Sequence, residues 1–589
     1  MKIPNINVFQ AHLVIDHLVN EGVELFIISP GSRSAPLVTA SSEHPNVSTK
    51  IIIDERAAAY FAVGYARSFG RAAGLICTSG TAAANYFPAI IEAYQSRLPL
   101  FVLTADRPEE LQGRGANQTI NQFDLYGEYA CSVTFPAPDA SFNAEETLNK
   151  LDNAIKKTWD KSNTIAGPVH LNLRFREPLA PVVEKFDEDK LCHQTDNWYQ
   201  EKLRNESVIE NDNQVGIDDA QLLIEGCRNG LIIAGPETRH RKATSIGKLS
   251  QKLRWPIITD ILSQFRFTSQ EIAGYPVGLY DLYIDIDNLT EKLKPEGIIQ
   301  VGGLPTSKRL NQFLNLIKGI PIIKIQSHDN IIDPDHIHTH TIHLQEDEAM
   351  RQLDSLLQPN EEKTFLDRWL RLEYLCRTGL EEYARGDCLN EITIYKEISD
   401  LIPARDALFL SSSMPVRDAD SFVPVTRKGV TVGCNRGVSG IDGVISSACG
   451  FAKGCNRPTT LIIGDLACMH DLTSLKIISE SANPVIVIII NNNGGGIFHF
   501  LPIAEYDEIF EKYFAAPQNI SFESTAGMYG LPYYNPKSIT EFGSAYHELK
   551  SDNKFGMIEI TIDRRDNYKK HEHIREIIRQ KITNSELSA

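Results

Sequence analysis

Two polar turns, Gly464-Asp465-Leu466 and Asn491-Asn492-Asn493-Gly494-Gly495-Gly496, bound the stretch whose reading decides the fold. The first ends the apolar run Leu461-Ile462-Ile463, and the second ends Pro484-Val485-Ile486-Val487-Ile488-Ile489-Ile490. A helix-like segment reaching about Ile478 lies between them. The stretch therefore reads as one βαβ unit with both polar ends on the same edge of a parallel sheet. An acid on one strand end and amides on the next can converge on a single hard cation. Magnesium takes oxygen ligands in an octahedron and rarely draws all of them from protein, so a diphosphate is a natural source of the rest. The helix after Asp465 offers free backbone N–H groups, and the glycines let the main chain approach closely. An ordinary buried βαβ unit with a polar turn is the plain alternative.

An Asp at a strand end, followed after the next strand by Asn-Asn and glycine, resembles the diphosphate and magnesium motif of the thiamine-diphosphate enzymes. The resemblance implies thiamine diphosphate and Mg2+, with Mn2+ as a substitute, the metal being held by Asp465, Asn492 and the carbonyl of Gly494. Leu466 departs from the family's commoner Gly-Asp-Gly opening, which leaves the ligand set as it stands.

The chain's 589 residues suffice for three or four domains, each with its own core. Its net charge of −17 argues against a nucleic-acid backbone or an anionic membrane as partner, since both would be repelled. No apolar run approaches the ~18 residues needed to span a bilayer, and Met1-Lys2-Ile3-Pro4-Asn5 lacks a signal-peptide profile, so a cytoplasmic location is expected. Ten scattered cysteines without a C-x-x-C pair read as reduced, mostly core residues.

From Glu24 to Arg174 short β-rich runs (Leu25 to Ser29, Lys50 to Ile53, Gly74 to Thr78, Leu100 to Thr104, Val169 to Leu173) alternate with helical segments such as Ala57 to Arg67 and Ala82 to Tyr94. Such alternation means a parallel sheet covered by helices. Charged and amide residues dominate from Pro181 to Asp218, which reads as a linker. Further strands are expected at Gly230 to Ala234, Pro256 to Asp260, Gly297 to Val301 and Pro321 to Ile325, before a polar stretch and a helical connector near Phe365 to Tyr383. Alternation resumes from about Asn390. The fold class is α/β, three successive domains with parallel sheets, and the resemblance implies a pyrimidine-binding domain over 1–185, a central domain over 205–360 and a diphosphate-binding domain over 385–589.

Ile53-Asp54-Glu55-Arg56-Ala57 is a strand end whose acids open a helix, where Glu55 has an ordinary reading as a carboxylate favoured by the helix dipole. The resemblance gives it a catalytic role, bonding the aminopyrimidine ring nitrogen of the cofactor, and places the active site between subunits of a homodimer or homotetramer. A set of further motifs is similar to the branch of the family that joins 2-oxoglutarate to isochorismate in menaquinone and phylloquinone biosynthesis: Ser29-Pro30-Gly31-Ser32-Arg33-Ser34, Thr104-Ala105-Asp106-Arg107-Pro108, Gly115-Ala116-Asn117-Gln118, Pro305-Thr306-Ser307-Lys308-Arg309, Ser411-Ser412-Ser413-Met414-Pro415-Val416-Arg417 and Asn435-Arg436-Gly437-Val438-Ser439-Gly440-Ile441-Asp442. By that resemblance Ser32, Arg33, Arg107, Gln118, Lys308 and Arg309 face isochorismate, and Ser413, Arg417 and Arg436 hold the succinyl part. Ile441 would prop the cofactor, with Ile497 and Phe498 walling it; core packing is the ordinary alternative. The chemistry asks for such cations independently, because both substrates are dicarboxylates and arginine grips a carboxylate through two parallel hydrogen bonds.

His336, His338, His340 and His343 would put three imidazoles on one strand face, more often a half-exposed strand than a zinc site. Within the family another 2-oxoacid carboligase or decarboxylase is the competing reading. Against it, the central segment lacks a G-x-G-x-x-G dinucleotide fingerprint and the chain has no adjacent histidines. A cofactor-binding relative without catalysis is the competitor of another class, and the retained Glu55 and metal-ligand set argue against it.

Overall fold

Eighteen strands form three six-stranded sheets in the computed structural model, which describes residues 3–585 apart from 160–165, 206–215, 237–243, 264, 269–273, 329 and 553. The first sheet is built from β1 (Leu25–Ile28), β2 (Ser48–Ile51), β3 (Ala73–Cys77), β4 (Leu100–Asp106), β5 (Cys131–Phe135) and β6 (Pro168–Arg174), in the order β2-β1-β3-β4-β6-β5. The middle sheet contains β7 (Gly230–Ala234), β8 (Pro256–Thr259), β9 (Tyr275–Val277), β10 (Gly297–Val301), β11 (Ile322–Gln326) and β12 (His340–His343), ordered β12-β11-β10-β7-β8-β9. The third has β13 (Ala407–Leu410), β14 (Thr431–Cys434), β15 (Thr459–Gly464), β16 (Val485–Asn491), β17 (Tyr533–Tyr534) and β18 (Gly556–Thr561), ordered β14-β13-β15-β16-β18-β17. The ladders are parallel, and the first and third sheets repeat one strand order. Ligands of such sheets bind at the carboxyl ends of strands where the order reverses, here β1 and β3 in one sheet, β13 and β15 in the other.

Continuous apolar runs explain these strands. Val485–Asn491 is buried along its whole length, as a strand covered on both faces must be. Its register with β15 sets Gly464 opposite Ile490, so Asp465 leaves its strand level with Asn491.

The chain divides into two compact units, one of residues 1–212 with 435–455 and 473–477, the other of 213–434, 456–472 and 478–589. In the first unit the helices Glu55–Phe69 and Val444–Cys455 touch backbone to backbone: a Cβ on Gly64 would lie 1.9 Å from the Ser447 carbonyl oxygen. In the second unit the fully buried Arg266 donates to the carbonyls of Thr259 and Val423 and pairs with Asp420 at 2.9 Å, tying β8 to the helix Met414–Phe422.

Two expectations are corrected here. The stretch read as a linker holds an 18-residue helix, Glu188–Asn205, whose Leu191 and Trp198 pack with Phe9, Leu13 and Leu148; 206–215 of that stretch lie outside the described residues. The helix expected from Ala82 to Tyr94 is two, Thr81–Asn85 and Phe87–Gln95, with Pro88 opening the second. Strands β5 and β9 add to those expected from the sequence.

Among the described residues no helix is long and apolar enough to cross a membrane. Six of the ten cysteines are buried, and Cys192 and Cys388 are exposed.

Candidate active site

Three consecutive asparagines take three different tasks at the end of β16. Asn491 donates to Glu559 at 2.6 Å and braces the strand end. Asn493, at φ 58, accepts from the N–H groups of Gln518 and Asn519 and closes the loop. Asn492 donates weakly to Glu391 at 3.4 Å, while its Oδ1 is buried without a hydrogen-bond partner. Next to them Asp465, 3 % exposed, accepts from the Gly494 N–H at 2.7 Å and from Leu466 N–H at 2.8 Å. Burial outweighs these hydrogen bonds and pushes its carboxyl up to about 6. Gly494 is required twice over: φ is +129, and a Cβ would sit 1.9 Å from the carbonyl oxygen of Ala515. That carbonyl ends a π-helical turn, Phe510–Ala515, and accepts from Gly495 N–H at 2.7 Å. Ile497 and Phe498 lie half-buried on the short 3-10 turn that follows, Phe498 edge-on to Phe514 at 5.6 Å. At Gly496 a Cβ would meet the Asn492 amide at 2.4 Å, so a side chain there needs that amide to move.

A carboxylate starved of counter-charge beside an amide oxygen starved of donors is the donor set a hard divalent cation completes. Gly464, whose Cβ would meet nothing within 4 Å, leaves open space at the same strand end. The residues present fit magnesium with a diphosphate.

In the same unit Ser413 caps the helix Met414–Phe422 at φ 72, ψ −133, a conformation that serine rarely adopts and that marks stored strain. Its carbonyl accepts from the half-buried Arg417 guanidinium. Lys308 and Arg309 open the helix Lys308–Leu316 after β10. Lys308 is exposed. The Arg309 guanidinium is already engaged by Asp281 at 2.8 Å and Asp285 at 3.0 Å; burial works against its charge, but the two aspartates outweigh burial and raise its pKa.

The first unit gathers another set at the ends of β1, β3 and β4. Ser32 is exposed, and Arg33 beside it is 7 % exposed, donating to the Phe175 carbonyl at 2.9 Å and lying 3.3 Å from Glu177. Burial first, then the nearby charge of Arg107, lowers its pKa. Arg107 donates to Ser79 Oγ and to the Asn117 carbonyl, each at 3.0 Å, and Gln118, at φ 55, exchanges hydrogen bonds with Ser79. Ser79 therefore joins Arg107 to Gln118. Sequence reading missed it, although Ser79-Gly80 closes β3 as Ser32 closes β1.

Glu55 is half-exposed in the first turn of its helix, which Asp54 caps through Ala57 N–H at 3.2 Å. The loop 435–443 carries Arg436, bonded to Ser439 Oγ at 3.1 Å, and the exposed Ile441. The histidine run is not one strand face: His336 turns at φ 51, His338 lies between Asp333 and Gln300, and only His340 to His343 is strand.

Three family models match most of the chain in succession. The thiamine pyrophosphate enzyme N-terminal TPP binding domain matches residues 10–125, the middle domain of thiamine pyrophosphate enzymes 189–410, and the C-terminal TPP binding domain 418–560. Proteins named 2-succinyl-5-enolpyruvyl-6-hydroxy-3-cyclohexene-1-carboxylate synthase are similar at near full length. That of Rubrobacter xylanophilus is 37 % identical, covering 98 % of both chains. Those of Prosthecochloris aestuarii and Chlorobaculum parvum are 36 % and 35 % identical, covering 95 % and 97 % of both chains. The chain belongs to the 2-succinyl-5-enolpyruvyl-6-hydroxy-3-cyclohexene-1-carboxylate synthase family of thiamine-diphosphate enzymes.

Proposed function

We propose that this enzyme decarboxylates 2-oxoglutarate and joins the remaining succinyl unit to isochorismate, as a transferase of menaquinone or phylloquinone biosynthesis. The C1–C2 bond of 2-oxoglutarate breaks with release of carbon dioxide, and C2 bonds to a ring carbon of isochorismate. Thiamine diphosphate, when bound, supplies the electron sink for that decarboxylation. Asp465, Asn492 and the Gly494 carbonyl would hold Mg2+, or Mn2+ in its place, against the diphosphate. What supports this most is one observation: a buried, charge-starved carboxylate beside an unpartnered Asn492 oxygen, at the ends of neighbouring strands in a chain of this family.

Glu55 would hold and return a proton at the aminopyrimidine, and Ile441, Ile497 and Phe498 would exclude water around the ring. Arg417 and Arg436, with Ser413, would grip the carboxylate of the succinyl part. Arg33, Arg107, Lys308 and Arg309, with Ser32 and Gln118, would orient isochorismate, with Arg309 held in place by Asp281 and Asp285. An active site shared between subunits of a homodimer or homotetramer accounts for the surface around Glu55, where Ile51 and Ile53 are 64 % and 81 % exposed. The expected location is the cytoplasm.

Mass spectrometry of a reaction holding 2-oxoglutarate, isochorismate, thiamine diphosphate and Mg2+ tests the reading. The coupled product should form, and omission of either cofactor should abolish it. Turnover of pyruvate in preference to 2-oxoglutarate would make the enzyme another carboligase, and cofactor binding without any turnover would make it a non-catalytic relative.

A further inference from the structure

The loop 435–443 starts at Asn435, which donates to Ser447 Oγ at 2.9 Å. It has no regular structure, and two of its residues, Ser439 at φ 59 and Gly443 at φ 62, lie in the left-handed region. Yet Arg436 and Ile441 both stand on it. Its fixed point is Glu92, in the helix Phe87–Gln95, 1 % exposed. One carboxylate oxygen of Glu92 accepts from the Gly437 N–H and the other from the Val438 N–H, both at 2.8 Å. The same carboxylate accepts from Arg67 at 2.7 Å and from Ser96 Oγ at 2.9 Å. Close approach depends on Gly437, whose Cβ would lie 2.6 Å from the Glu92 carbonyl oxygen and 2.8 Å from Ser96 Oγ. At the other end Tyr60 donates to Asp442 at 2.6 Å.

We infer that Glu92, charged and held in place by Arg67, is a positioning residue that sets where the loop presents Arg436 and Ile441. This rests on the reading above that those two serve substrate and cofactor. Stability alone does not ask for a buried ion pair here, since apolar side chains of similar volume do as well. A carboxylate does what they cannot: it grips two successive backbone N–H groups through charge-assisted hydrogen bonds, next to the residue that must meet a substrate carboxylate. Misplacing a binding group by about 1 Å can slow a reaction on the order of 100-fold.

The test uses the full-length enzyme with thiamine diphosphate and Mg2+, and three variants, Glu92→Gln, Gly437→Ala and Arg436→Ala. Gly437→Ala pushes the loop off its anchor without leaving Arg67 unpaired, and decides the matter if Glu92→Gln does not fold. Hydrogen exchange across 436–443 should rise in Glu92→Gln and Gly437→Ala. KM for 2-oxoglutarate should rise by roughly tenfold or more in both, with KM for isochorismate unchanged. Added to Arg436→Ala, the Glu92→Gln change should raise KM for 2-oxoglutarate no further, because Glu92 reaches that substrate through Arg436 and the cofactor through Ile441. Unchanged exchange in a folded variant, or an equally large effect of Glu92→Gln in the Arg436→Ala background, overturns the inference. If Arg436→Ala itself leaves KM unchanged, the substrate reading of Arg436 fails, and loop exchange then decides the anchor by itself.

Discussion

Asp465 and Asn492 stand together because parallel register brings the ends of β15 and β16 to one level. Asp465→Ala and Asn492→Ala each remove one oxygen donor, so each should weaken thiamine-diphosphate binding in Mg2+ while leaving the fold intact, as calorimetric titration can measure. Unchanged affinity in both variants would remove the metal assignment. The cations divide differently. Arg417→Ala or Arg436→Ala should slow carbon dioxide release when the enzyme is mixed rapidly with 2-oxoglutarate alone. Arg33→Ala, Arg107→Ala or Lys308→Ala should spare that step and slow the joining to isochorismate added afterwards. One lost charge-assisted contact corresponds to about 1.5–3 kcal/mol, or about tenfold to 150-fold in the affected step. The division is wrong if Arg33 or Lys308 variants with intact cofactor affinity fail to release carbon dioxide. The motifs that hold these residues stand out in the sequence, because the proposed roles need those types in that order. The supports behind them were not. Ser79 is an unremarked hydroxyl in the sequence, nothing in Ser413 announces φ 72, and Glu92 looks like any acid on an apolar helix.

At the scale of elements, the helix Glu188–Asn205 shows where pattern reading fails. Its apolar stripe reduces to Leu191 and Trp198, two turns apart, too sparse for periodicity to reveal among charged neighbours. Long-range partners hold it: His17 of the helix Ile6–Asn20 meets the Tyr199 hydroxyl at 3.1 Å and the edge of Trp198 at 5.4 Å, and Lys202 pairs with Glu21 and Asp152. Burial, seconded by the charge of Lys202 and that of Lys156 and opposed by Glu21 and Asp152, lowers His17 to about 4. Its folded value lies below its unfolded one, so the neutral ring's contribution is complete above about pH 6.5 and is lost as pH falls toward 4. The loss should reach on the order of 2–3 kcal/mol. Hydrogen exchange across 188–205 should accelerate over that window, and His17→Phe, which cannot titrate, should flatten the response. An equally steep response in His17→Phe would assign it to other groups.

At the scale of the whole molecule, the strands of the first and third sheets follow from apolar runs that alternate with helices, but their shared strand order does not. Topology repeats here without repeating residues, because burial on both faces constrains only hydrophobicity and length. The joining of the middle and third sheets in one unit was equally hidden: one apolar core runs through both, and Arg266, a lone cation in the sequence, is fully buried there. Arg266→Met would leave Asp420 buried beside Asp260 without its cation, and should lower stability by about 3–5 kcal/mol in urea unfolding. A change below about 1 kcal/mol would mean the pair is dispensable. One labelled turnover assay decides whether this fold runs a decarboxylation coupled to carbon–carbon bond formation. With 2-oxoglutarate carrying 13C at C1, labelled carbon dioxide should appear over many turnovers in one-to-one yield with the isochorismate adduct, and only when thiamine diphosphate and a divalent metal are both present. Continued release of labelled carbon dioxide beyond one equivalent per active site without isochorismate, or an adduct that retains the label, would overturn this coupling.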